Sequence, residues 1–278
     1  MTQPERRELN RDGQRLSYLR YPVPQADTAI IVLPAMGVPA GYYERLVGRL
    51  TGLGHDVTVA DWRGTGDSVP AATRHSRYGY LDLVDDIDAL LSRSAPELSG
   101  RSITVLGHSL GGHVASLLLA RWSLDGHHPV DRLALIACGL PYHRLYNRPK
   151  GIAVYSMAAS MRLVAAALGH WPGYGFGGRQ SRGIIKDWAH TVRTGRFSAD
   201  DLDAAITHLK LPVLAVTVED DRFTPASTVR RLTDKYTSAK VTHLTYTHAD
   251  AGGRIDHFKW ARRPDGIIGQ ISDFANGA

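Results

Sequence analysis

Ser109 stands in the stretch VLGHSLGGH, residues 105–113, framed by Gly107, Gly111 and Gly112, with Gly100 just upstream. A serine hydroxyl is a poor nucleophile at neutral pH. It becomes a good one when a base takes its proton and an acid orients the base. Glycines so close to one hydroxyl suit a backbone that must bend sharply, because side chains at Gly107 and Gly111 would collide with the neighbouring strand and helix. Gly107-His108-Ser109-Leu110-Gly111 fits G-x-S-x-G, in which the serine occupies a strained turn from strand to helix. The context agrees: SITVLG (102–107) reads as a strand and LGGHVASLLLARW (110–122) as a helix.

In this arrangement the acid and then the base follow the nucleophile along the chain. After the strand pattern PVLAVTV (212–218) come Glu219, Asp220 and Asp221 in VTVEDDRFTP. Asp221 is preferred, four residues ahead of Pro225, which opens the next helix. For the base, His243 lies inside the strand pattern VTHLTY and reads as structural. His257, in GRIDHFKW beside an apolar Phe258, is preferred, with His248 of YTHADAGG in reserve. An acyl-transfer reaction also needs two backbone N–H groups for the oxyanion. Leu110, directly after the serine, supplies one. Met36, in the loop LPAMGVPAGYY, supplies the other.

The elements that must position these groups alternate. TAIIVLP (28–34), HDVTVAD (55–61), SITVLG, RLALIAC (132–138), PVLAVTV and VTHLTY read as strands. Helical patterns lie between them at 41–54, 81–94, 110–122 and about 225–236, and a last one follows Pro264. Continuous apolar strands separated by helices predict a mostly parallel central sheet covered on both faces, an α/β fold. The alternation stops between 140 and 206, where no clear strand appears. This stretch is read as a helical cap inserted between a first core part, 1–139, and a second, 207–278. Its aromatics Trp171, Tyr174, Phe176 and Trp188 either line an acyl pocket or pack the cap onto the core. Trp171, Tyr174 and Phe176 are counted as substrate-binding, together with His108 next to the nucleophile.

Composition narrows the function further. Lys plus Arg is 33 against 27 Asp plus Glu, a net charge of +6 without a basic stripe, which argues against nucleic-acid binding. The single cysteine, Cys138, permits no internal disulfide, which suits a cytoplasmic protein, and it reads as a buried structural thiol. Residues 151–169 form an apolar run interrupted by Arg162, read as a buried or cap helix rather than a membrane span. GYGFGG (173–178) matches G-x-G-x-x-G but follows no strand, so it reads as a lid loop and not a nucleotide site. His127-His128 sits in a polar loop with no further ligand at metal spacing.

On GHSLGG, DWRGTGDS (61–68), EDDRFTP and DHF the chain resembles the α/β-hydrolase superfamily over nearly its whole length. GVPAGYYERL, GHWPG and GRIDHF look like a poorly characterised bacterial subgroup of it. The resemblance implies the fold, the Ser109–His257–Asp221 set, and bracing roles for Asp61 and Arg63. Three features depart from the family pattern: Pro34-Ala35 replaces His-Gly at the oxyanion loop, Asp256 replaces the glycine before the histidine, and the stretch from Asp221 to His257 is long, which keeps His248 as a rival base. The expectation is a serine hydrolase acting on an ester or thioester of a small apolar or aromatic acyl group, without metal or organic cofactor. Acyl transfer to another acceptor and a non-catalytic member of the fold are the alternatives.

Overall fold

A computed structural model describes residues 3–127 and 129–278. In chain order it contains β1 (Glu5–Arg11), β2 (Gln14–Tyr21), β3 (Thr28–Leu33), α1 (Glu44–Gly52), β4 (Asp56–Ala60), α2 (Tyr80–Leu98), β5 (Ser102–His108), α3 (Leu110–Leu124) and β6 (Arg132–Ile136). Then follow α4 (Arg148–Leu168), β7 (His170–Trp171), β8 (Gln180–Ser181), α5 (Arg182–Thr194), α6 (Asp200–Ala205), β9 (Val213–Val218), α7 (Ala226–Thr233), β10 (Val241–Tyr246) and α8 (Ile268–Asn276).

Eight strands form one sheet in the order β1-β2-β4-β3-β5-β6-β9-β10. β1, β2 and β4 are joined by antiparallel pairings, and every pairing from β4 to β10 is parallel. The all-buried runs of β3 and β4, and that of β9 apart from the partly buried Thr217, explain their mainly apolar patterns, because helices cover both faces. One apolar cluster lies on the side of α2, α3 and the segment after β6; the other lies on the side of α1 and α8. α3 is apolar on all sides and accordingly buried on nearly all of them.

The chain leaves β3 for β4 on one side and returns to β5 on the other. The carboxyl ends of β3 and β5 therefore border a crevice where the winding direction switches, the usual ligand position in an open α/β sheet. Between β6 and β9 in the chain come α4, α5, α6 and the β7–β8 pair, and α4, α5 and the loop joining β7 to β8 contribute residues to a cavity at that edge. Within 140–206, where the sequence shows no clear strand, β7 and β8 pair antiparallel over two residues each. The hairpin of β1 and β2 was not anticipated either, yet its turn is an ordinary one: Asp12 and Gly13 have φ of 49° and 72°, and Asp-Gly favours such a turn.

Candidate active site

Ser109 is the hinge between β5 and α3, with φ 53° and ψ −114°, a conformation rare for a residue with a side chain. Neighbouring contacts enforce it. A Cβ on Gly111 would fall 2.0 Å from the carbonyl oxygen of Leu33, and one on Gly107 would fall 2.4 Å from the Cα of Gly112. The bend thus lets α3 start directly against β3, and it aims the hydroxyl into the crevice. Beneath it, the Cys138 thiol donates to the Ser109 carbonyl at 3.2 Å, and burial pushes the pKa of that thiol up.

The loop after β9 holds Asp221 and the loop after β10 holds His257. The Asp221 carboxylate accepts from His257 Nδ1 at 2.8 Å, and His257 Nε2 lies 3.1 Å from Ser109 Oγ. Because an ionised carboxylate can only accept, Nδ1 carries the proton and Nε2 offers its lone pair to the serine hydroxyl. Asp221 also accepts from the N–H groups of Phe223 and Thr224, at 2.8 and 2.9 Å, and from the Thr224 hydroxyl. Burial alone would raise the Asp221 carboxyl, but its attraction to His257 and these donated bonds outweigh it and hold the group below its ordinary value.

The rival acids and the rival base are engaged with one another. The His248 ring Nε2 donates to Asp220 at 3.1 Å, and its backbone N–H donates to Glu219 at 2.6 Å. Its Nδ1 accepts from the N–H of Ile255 at 3.2 Å. These bonds tie the acid loop to the chain that delivers His257. His243 is exposed on β10, the edge strand. Asp256, next to His257 in the chain, accepts from the N–H groups of Phe258 and Lys259 at 3.0 and 2.9 Å, so it braces the turn instead of facing the imidazole.

Met36 and Leu110 both border the cavity above Ser109. Neither of their backbone N–H groups donates to another group among the described residues. Asp61 and Arg63 lie behind that loop. Asp61 accepts from the N–H of Ala40 at 2.6 Å, and Arg63 pairs with buried Asp86 through bonds of 2.5 and 2.6 Å.

The cavity has a volume of about 310 Å³, with Ser109 and His257 in its wall. Met36, Tyr80, Met157, Phe176, Trp188 and Phe223 make the rest of it mainly apolar, and Lys150 and Arg222 also border it. Phe176 stacks near Trp188 and near Phe223, and Phe223 near His257, with ring centres 5.1–5.2 Å apart. A continuous row of rings therefore runs from the segment after β6 to the imidazole.

Three residues counted as substrate-binding lie elsewhere. His108 is fully buried behind the nucleophile. Its Nε2 donates to the His257 carbonyl at 2.8 Å, and its Nδ1 accepts from Tyr43 Oη at 2.7 Å. Tyr43 Oη in turn accepts from the N–H of Ala35 at 2.9 Å. His108 thus joins the oxyanion loop to the histidine loop instead of meeting a ligand, because alternation along β5 sends its side chain away from the one that follows. Trp171 is buried but outside the cavity, where its indole N–H donates to the Phe176 carbonyl at 2.8 Å and fixes the loop that presents Phe176. Tyr174 is 80% exposed at the tip of that loop. Of the cavity residues missed in the sequence, Tyr80, Met157 and Phe223 come from three separate segments and share no local pattern.

Among the described residues no cluster of three or more His, Cys, Asp or Glu is placed to hold a metal ion. Of the pair His127-His128, His127 rests edge-on against Trp122, and His128 lies outside the described residues.

Comparison with known proteins places this geometry. Over 236 residues the chain is 29% identical to a putative carbamate hydrolase, RutD, of Variovorax paradoxus, covering 76% of this chain and 80% of that one. Among solved structures it is similar to α/β hydrolase domain-containing protein 10 from mouse, with a TM-score of 0.65, 17% identity and coverage of 98% and 99% of the two chains. It is also similar to the thioesterase domain from the curacin biosynthetic pathway, with a TM-score of 0.61, 16% identity and coverage of 96% and 99%. These structural likenesses concern the fold. The model of the serine aminopeptidase S33 family matches residues 24–193, more than half of the chain, so this protein is a hydrolase of that family within the α/β-hydrolase superfamily.

Proposed function

We propose that the protein is a serine hydrolase that cleaves an ester or thioester of a small apolar or aromatic acyl group through an acyl-enzyme on Ser109. The observation that carries this reading is the relay Asp221–His257–Ser109 opening into a mainly apolar cavity. His257 Nε2 takes the hydroxyl proton as Ser109 Oγ attacks the acyl carbonyl, and Asp221 stabilises the imidazolium that forms. The N–H groups of Leu110 and Met36 receive the developing oxyanion; Leu110 is also the first residue of α3, where the helix end favours negative charge. The imidazolium then protonates the leaving group, and water deacylates the enzyme with His257 again as base.

The name of the curated relative points to a carbamate carbonyl, and that of one structural neighbour to a thioester; both present the same kind of electrophile. The apolar wall favours an acyl group that brings carbon into the cavity over carbamic acid itself. Hydrolysis of p-nitrophenyl esters of rising chain length, and of matching thioesters, tests this. The expected result is kcat/KM rising by about 3- to 10-fold per added methylene until the cavity is full, and loss of turnover in Ser109→Ala. Equal rates for acetyl, longer acyl and phenylacetyl substrates would contradict it.

A further inference from the structure

α4 turns one stripe inward, with Gly151, Ala158, Met161 and Ala165 buried, as its spacing of three and four residues dictates. The opposite stripe faces outward and is also apolar. Ile152, Tyr155, Leu163 and Leu168 are 59%, 43%, 71% and 49% exposed, and Arg162 is the one charged residue between Gly151 and Leu168. α4 is long and apolar enough to cross a membrane, yet only 22% of its most apolar stretch is buried in the protein. Such a face on an ordinary surface helix would be polar.

Charge is distributed to match. Residues 140–198 contain nine lysines and arginines and one acidic residue, Asp187, so this segment carries more than the net positive charge of the whole chain. Among the described residues none of those nine cations forms an ion pair with a carboxylate, whereas arginines elsewhere pair repeatedly. Asp187 is itself occupied by the N–H of Tyr80 and the hydroxyl of Ser198, each at 2.8 Å. On the outer side a groove between α4 and α5 is floored by Ala159, Leu163 and Val192 and bordered by Arg162 and Arg193.

We infer that the outer face of α4 and α5 adsorbs to an anionic lipid surface, its apolar stripe entering the interface while the surrounding cations meet the headgroups. An apolar stripe edged by unpaired basic side chains has the composition that lies in such an interface, where each cation near the surface adds to the attraction. The inference is independent of the acyl-enzyme reading, since no group of the relay takes part.

Sedimentation with vesicles tests it, using vesicles of phosphatidylcholine alone and of phosphatidylcholine with phosphatidylglycerol in equal parts. The full chain carrying Ser109→Ala, which leaves the lipids intact, is expected to bind only the anionic vesicles and to lose binding as salt is raised. Arg162→Glu/Arg193→Glu and, separately, Leu163→Asp are each expected to weaken binding by about tenfold or more without shifting the thermal transition, since all three side chains lie at the surface. No binding by the parent protein, equal binding to both kinds of vesicle, or binding unchanged by both variants would overturn the inference. So would a concentration-dependent dimer that Leu163→Asp dissociates in a protein indifferent to vesicles, since a second copy would then cover the face.

Discussion

Three acidic residues in a row follow β9, and their neighbours give them different tasks. Asp221 turns inward, where three donors and the imidazole surround it; Asp220 and Glu219 turn outward to His248. Replacing Asp221 by Asn puts an amide opposite His257 Nδ1, which favours the tautomer with the proton on Nε2 and so disables the base. The expected loss in kcat/KM is about 10³- to 10⁴-fold, against no more than about threefold for Asp220→Asn, measured on the best acyl substrate. Similar losses in both variants would contradict the division of labour. At this scale the sequence was legible where chain order constrains chemistry, as with Ser109, Asp221 and His257. It was not legible for His108, Trp171 and Tyr174. Adjacency to the nucleophile or an aromatic type says nothing about which way a side chain points, and the strand's alternation and the fixed loop decided that.

The turn between β5 and α3 depends on α3 starting against β3 with no side chain between them. Gly111→Ala would place a methyl group 2.0 Å from the Leu33 carbonyl oxygen, a backbone atom that cannot move aside without breaking the β3 pairings. The expected cost is about 3–5 kcal/mol, read by denaturant unfolding, together with loss of turnover as the helix shifts and moves the Leu110 N–H. Stability within about 1 kcal/mol of wild type would show that the contact is softer than this geometry implies. The inner strands β3, β4, β5, β6 and β9 were readable because burial on both faces forces apolar runs with β-branched residues, whereas the edge strand β10 was readable by its β-branched residues alone. β1 and β2 were less so: β1 lies at the sheet edge with four of its seven residues exposed, and its alternation is carried by charged and polar side chains. The two-residue strands β7 and β8 are too short to leave any period.

Across the whole molecule, protonation couples to stability through histidines buried without charge. His108 and His113 are both buried, and burial lowers both, His108 well below its ordinary value and His113 to about 4. In the unfolded chain a histidine binds its proton near pH 6.5. Their contribution is therefore fully present above that pH and is lost as the pH falls towards the folded values, because the unfolded state takes up protons that the folded state refuses. Stability is expected to fall by about 1.4 kcal/mol per pH unit for each of the two between about pH 6 and 4. Replacing His113 by Gln should flatten the slope measured by denaturant titration at several pH values. A slope already flat in the wild type would mean that neither ring is held neutral by the fold. The interruption of the strand–helix rhythm after β6 was legible, but the outward apolar face of α4 was not, because hydropathy alone does not separate a buried helix from an exposed one.

All of these levels meet in one claim, that the fold activates Ser109 through His257. Intact-mass measurement after exposure to a fluorophosphonate probe tests it most directly, with wild type, Ser109→Ala and His257→Ala compared at neutral pH. The account predicts one adduct on wild type and none on Ser109→Ala, with labelling of His257→Ala slowed by about 10³-fold or more. Labelling of His257→Ala at the wild-type rate, or an adduct that persists in Ser109→Ala, would contradict it.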